Sequence, residues 1–235
     1  MYEYRGLQDI FFMMLYGGVA LFAVVACLYL LLRRGNAFVG EEIRSSRRLR
    51  QWTAVLLAAM AASHVWWYVL GVYWLADDRL VRNIVAILLD HMTLVPLTMA
   101  VLLAMLQDRR RPWWPWLVVQ LPVMIFAVVG IVQRSMSFGY EMPHYWQLAV
   151  IVVFVTYYIY ALRQYGRWLR NNYADLEHKE VWQSLVFALV LLAVYVIYTS
   201  NAGELMREYL SQVISIVIIA FLLWRVETLQ ELETN

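Results

Sequence analysis

Three ionisable side chains fall inside long apolar runs of this sequence: His64, Asp90 and His91. Ionisable groups within a hydrocarbon layer are costly, which makes them the first functional suspects. Histidine titrates near neutral pH, so His64 paired with Asp90 or His91 makes a proton- or ligand-responsive switch. At ~1.5 Å per residue His64 lies roughly 20 Å from both Arg50 and Asp77, and Asp90 about 12 Å beyond Arg82. Adjacent helix positions point about 100° apart, so Asp90 and His91 cannot both face one site squarely. Ser63, Trp66, Trp67 and Thr93 flank these positions, with Trp66 and Trp67 as the walls of a candidate pocket. The same pairing also reads as a polar clasp that fixes helix packing, at modest energy per bond.

Other chemistries find less support. No helix carries a His-x-x-x-His or Glu-x-x-His pair, His144 falls at a helix end and His178 in a loop, so no metal site is expected. A retinal pigment needs a lysine within a span, and Lys179, the only lysine, falls in a loop. Gly-x-Ser-x-Gly and His-Glu-x-x-His do not occur, which removes two protease signatures. The sequence therefore predicts no catalytic residues and no cofactor.

The elements that position these residues follow from composition. Of 235 residues 63% are hydrophobic and 15% charged, with a mean hydropathy of +0.59. A soluble domain is nearer half apolar and a quarter charged. Seven runs reach the ~20 residues a bilayer-crossing helix needs. They are Ile10–Leu32, Trp52–Leu75, Val81–Leu106, Trp113–Val132, Tyr145–Leu162, Val181–Ser200 and Leu205–Trp224. The fold class is all-α, a polytopic seven-transmembrane-helix bundle over residues 1–225, with residues 226–235 beginning a cytoplasmic linker helix. The first run, preceded by Glu3 and Asp9, reads as a retained span rather than a cleaved signal.

Lysine and arginine set the orientation. Fourteen fall on one set of loops and five on the other, so the positive-inside bias puts the N-terminus outside and the C-terminus in the cytoplasm. Tryptophans such as Trp52, Trp113, Trp146 and Trp224 fall near span ends and read as interfacial anchors. Arg33–Gln51 reads as a basic interfacial helix. Asn172 reads as the cap of the following helix, with Asp175 in its first turn. Val226, Leu229 and Leu232 extend an apolar stripe beyond the last span. Pro96 and Pro122 interrupt two spans, as in transporters, although the spans carry few polar groups.

The segment Asn172-Tyr-Ala-Asp-Leu-Glu-His-Lys-Glu-Val-Trp-Gln-Ser184 resembles one in membrane-anchored bacterial regulators with AraC-type helix-turn-helix domains. Ser63-His-Val-Trp-Trp67, Leu106–Pro112 and Phe221–Leu232 are similar too. The resemblance implies a multi-span sensor whose DNA-binding domain would follow these residues, and hence transcriptional regulation as the output. Asn172, Asp175, Glu177, His178, Lys179 and Glu180 are then the expected cytoplasmic docking surface. Expected partners are the lipid bilayer, a small-molecule ligand, a cytoplasmic output domain or partner protein, and a second copy in a homodimer. Direct nucleic-acid binding by this chain is not expected. A histidine-kinase input domain and a small transporter are the alternatives.

Overall fold

The computed structural model describes residues 7–33, 44–75, 77–199 and 204–232. Among these residues the chain is helical throughout, with no strand. The helices are α1 (Leu7–Leu32), α2 (Arg47–Val69), α3 (Arg79–Met105), α4 (Trp114–Val118), α5 (Leu121–Val132), α6 (Met142–Asn172), α7 (Trp182–Thr199) and α8 (Glu204–Thr228). Single π-helical turns, Leu70–Trp74 and Ser137–Glu141, extend α2 and lead into α6. Among the described residues six helical stretches are long and apolar enough to cross a membrane, and α7 is apolar but shorter over Trp182–Ile197.

The bundle closes on itself. α1 packs on α2, α2 on α3, α3 on α5, α5 on α6, α6 on α7, and α8 on both α1 and α2. Phe187 of α7 stacks on Phe221 of α8 with ring centroids 4.0 Å apart, completing the ring. Large apolar side chains such as Met14, Leu21, Ile125, Val153 and Val217 point outward. Buried positions include Thr53, His64, His91, Gln120, Gln147, Ser184 and Gln212. An apolar exterior around a partly polar interior is the arrangement a hydrocarbon solvent demands.

Small residues set the closest helix contacts, since lipid tails offer no hydrophobic drive for association. On α1 the buried positions Val19, Ala23, Ala26 and Leu30 repeat every three or four residues. Between α5 and the turn entering α6, Gly130 lies directly against Gly139, with no room for a side chain.

Several helix ends differ from the sequence reading. The basic residues Arg47, Arg48 and Arg50 belong to the first turn of α2, capped by the Ser46 hydroxyl 3.2 Å from the Leu49 N–H. Residues 34–43 of the expected interfacial helix lie outside the described residues, as do 201–203 of an expected loop and 233–235 of the tail. Asn172 does not cap the next helix: it ends α6, and its side-chain amide donates back to the Trp168 carbonyl at 2.7 Å. Nine residues separate it from α7, so its capping partner is its own helix.

The expected linker helix is also corrected. α8 ends at Thr228, and residues 229–232 lie outside the helix, with their N–H groups bonded to the Arg225, His178 and Arg44 carbonyls and to Gln107. Val226 in the last turn of α8 and Leu229 and Leu232 beyond it are all buried, so the apolar stripe is packed against the bundle rather than a free helix face.

Gly130→Ala tests the closest contact. A Cβ there would come within 2.6 Å of the Gly139 backbone nitrogen. The expected cost is about 1–3 kcal/mol, read as a lowered midpoint of thermal unfolding in detergent micelles. Gly166→Ala, where no atom lies within 4 Å, should leave the midpoint unchanged or raise it.

Candidate functional site

Asp90, near the middle of α3, is the centre of a polar layer built by α2 and α3. Ser63 Oγ donates to Asp90 Oδ1 at 2.6 Å, and the Trp67 indole N–H donates to Oδ2 at 2.8 Å. Trp66 Nε1 donates to Oδ1 at 3.2 Å. Positions 63, 66 and 67 follow the three- and four-residue spacing that aligns side chains on one helix face. Asp90 therefore pairs with Ser63, Trp66 and Trp67, and not with His64 as the sequence suggested. Both indole N–H groups are bound to the carboxylate.

His64, one residue on from Ser63, turns about 100° away toward α1 and α8. Its Nδ1 lies 2.8 Å from the Met60 carbonyl and its Nε2 lies 3.1 Å from Gln212 Oε1 on α8. Tyr16 of α1 donates its hydroxyl to the His64 carbonyl at 2.6 Å, and the two rings are 4.7 Å apart. Both ring nitrogens thus face carbonyl oxygens. Only an imidazolium carries a donor on both nitrogens, so a neutral ring loses one of these bonds.

His91 takes a third direction, toward α6. Its Nδ1 bonds the Ile87 carbonyl at 2.7 Å, and its ring centre lies 5.8 Å from that of His144. Its Nε2 is buried and has no hydrogen-bond partner among the described residues. His144, in the first turn of α6 as its place in the sequence predicts, faces this layer. Gln147, one turn further along α6, and Gln120, at the break between α4 and α5, are fully buried with both amide atoms unpartnered among the described residues. The three predicted ionisable residues, two of them adjacent in sequence, therefore serve three different helix contacts.

The break at Val119–Gln120 has a local cause. Pro122 has no N–H to offer the preceding turn, and Trp146 donates its indole N–H to the Val119 carbonyl at 2.9 Å. Trp146 is thus a partner for the broken backbone.

At the opposite end of α2 and α8 lies a second buried polar layer that sequence reasoning missed. Glu227 accepts a hydrogen bond from Tyr29 of α1 at 2.7 Å and lies 3.9 Å from Arg50 of α2. Arg50 also donates to the Arg33 carbonyl at 2.6 Å. Arg225 donates to the Glu180 carbonyl at 2.8 Å. The tail is then held by three separate segments. Gln230 N–H donates to the His178 carbonyl at 2.8 Å, Glu231 N–H to the Arg44 carbonyl at 2.7 Å, and Leu232 N–H to Gln107 Oε1 at 2.9 Å. Gln107 returns its amide to the Gln230 carbonyl at 2.9 Å. The signal in the sequence was Glu227 itself, an acid set among Val226, Leu229 and Leu232.

The expected docking loop is divided. Asn172, Asp175, Glu177 and Glu180 are exposed, His178 is half-buried, and Lys179 is buried. The Lys179 carbonyl accepts from Tyr165 at 2.8 Å, and its ammonium lies 3.5 Å from Asp175. His178 adopts a positive φ of 59°, the bend that brings its carbonyl to Gln230. Among the described residues no group of three His, Cys, Asp or Glu is placed to hold a metal ion. Comparison with protein families, curated proteins and solved structures finds no match to this chain.

Two outcomes test this geometry. Asp90→Ala leaves the Ser63, Trp66 and Trp67 donors unpaired and should cost about 1–3 kcal/mol in micelle unfolding, with Asp90→Asn costing less. In the loop, the Glu177 backbone N–H, and then the Lys179 ammonium, hold the Asp175 carboxyl below the usual carboxylate range. The turn should stay ordered above that usual range and loosen as pH falls through the lowered value. Amide exchange at Glu177, compared between the parent and Asp175→Ala, reads this directly.

Proposed function

We propose that this chain is a membrane signal-transduction module in which protonation of His64 is passed by α8 to the tail at residues 229–232. It is read as a seven-span bundle with the N-terminus outside and the C-terminus cytoplasmic, supported by the distribution of fourteen basic residues against five. The single observation that carries the reading is the His64 Nε2–Gln212 Oε1 contact. It is the polar link between the inner layer and a helix whose far end, thirteen residues and about 20 Å away, carries Arg225 and Glu227. A neutral ring keeps a donor on only one of its two nitrogens, so either the Met60 bond or the Gln212 bond is given up. Where it is the Gln212 bond, α8 loses this polar link to α2 and is free to shift. The groups around His64 are Tyr16 on α1, Gln212 and Ser211 on α8, and Asp90 on α3.

A two-state response requires the stimulus to favour one arrangement of α8 over the other. The tail clasp supplies the second arrangement to be released, because its hydrogen bonds come from segments that α8 does not carry. The resemblance to AraC-type regulators makes the output transcriptional control by a cytoplasmic helix-turn-helix domain. A histidine-kinase output uses the same membrane physics. A second reading, uptake or binding of a small polar solute, rests on the unpartnered amides of Gln120 and Gln147 beside a broken helix.

Hydrogen exchange of the Gln230, Glu231 and Leu232 amides in nanodiscs tests the proposal between about pH 5 and 8. After correction for intrinsic rates, protection should change across that range in the parent and be flat in His64→Leu and Gln212→Leu. Protection that is constant in the parent, or a pH response that survives His64→Leu, overturns it.

A further inference from the structure

The arginine-rich end of the bundle holds a cleft of about 590 Å³ between the last turns of α6 and the segment entering α7. Its α6 wall carries Arg163, Arg167 and Arg170, spaced four and three residues apart and therefore on one helix face. All three are exposed, and among the described residues none has a carboxylate within ion-pair distance. The facing wall is Leu176, Val181 and Trp182, with Glu180 as its single acid. Between the walls lies Gly166, whose missing side chain leaves open space out to 4 Å.

Followed in the other direction, the same face of α6 loses its charge. Tyr160, Thr156 and Val152 continue the three- and four-residue spacing, and all three are exposed. One continuous stripe thus runs from apolar helix surface into three guanidinium groups. Trp182, 56% exposed at the cleft's rim, has the amphipathic ring that settles at headgroup level. The shape selects a ligand that is anionic at one end, apolar at the other, and supplied from within the membrane.

We propose that this cleft is a binding site for an anionic phospholipid. The phosphodiester is held by Arg163, Arg167 and Arg170, whose planar forks match phosphate oxygens. One acyl chain lies along Tyr160, Thr156 and Val152. A free phosphate has no use for that apolar stripe, which is why the lipid, rather than the ion, is the occupant. The site stands on the membrane-spanning helices alone and does not depend on whether the chain signals.

The test uses the whole chain in phosphatidylcholine vesicles, comparing spin-labelled phosphatidylglycerol with spin-labelled phosphatidylcholine by their immobilised fractions. The parent should prefer the anionic label by at least about five-fold, the weight of one basic residue at an anionic surface. R163Q/R167Q/R170Q should bring the preference to about one, as expected once those charges are gone. R167Q alone should lower it, which keeps the test alive if the triple variant fails to fold. Gly166→Leu keeps every charge but fills the cleft, and should also lower the preference. R47Q/R110Q, which removes two exposed charges from the same end but outside the cleft, should leave it intact. The proposal is overturned if the triple variant or Gly166→Leu keeps the parent's preference, if R47Q/R110Q loses as much, or if millimolar inorganic phosphate displaces the labelled lipid.

Discussion

A polar group turned inward from hydrocarbon must find its partner inside the protein, and this requirement organises the whole bundle. Asp90 is accommodated by three donors from little more than one turn of α2. Glu227 is accommodated by a tyrosine from α1 beside an arginine from α2. In both layers the partners come from a helix that packs alongside, so satisfying the acid and fixing the helix contact are the same event. The outward faces need no such matching and are left to apolar side chains.

The two layers differ in what they could give up. Around Asp90 every donor comes from α2, and these bonds tie α2 to α3 alone. Around Glu227 and the tail, the bonds come from α1, α2, the segment after α3 and the segment before α7. α1, α2 and α8 each reach both levels, α8 through Gln212 at one and Arg225 and Glu227 at the other. A shift of α8 along its axis would strain the second layer in several places at once, while the first would lose a single contact.

Most of the helices were legible in the sequence, because long apolar runs leave a bilayer-spanning protein few alternatives. The split between Asp90 and His91 was legible too, since helix geometry forces neighbours apart. Their partners were not. Whether His64 meets Asp90 on α3 or Gln212 on α8 depends on the rotation of α2 about its axis, and local sequence does not encode that rotation. The tail shows the opposite failure. The spacing of Val226, Leu229 and Leu232 predicts one helix face, but only Val226 lies on α8, while Leu229 and Leu232 are buried in a non-helical segment held by Gln107 and the His178 carbonyl. Those bonds join residues more than fifty positions apart, where periodicity carries no information.

The broken helix at Val119–Gln120 bears on how the chain is built. A span of 19 residues, interrupted and with a backbone carbonyl turned out of its helix, is a poor candidate to rest alone in hydrocarbon. Its missing partner, Trp146, arrives only with α6, and so does Gly139, against which Gly130 is fitted. The stretch from Trp114 to Asn172 is therefore a single structural unit, whose first half has its polar partner and its close glycine contact only when the second is in place.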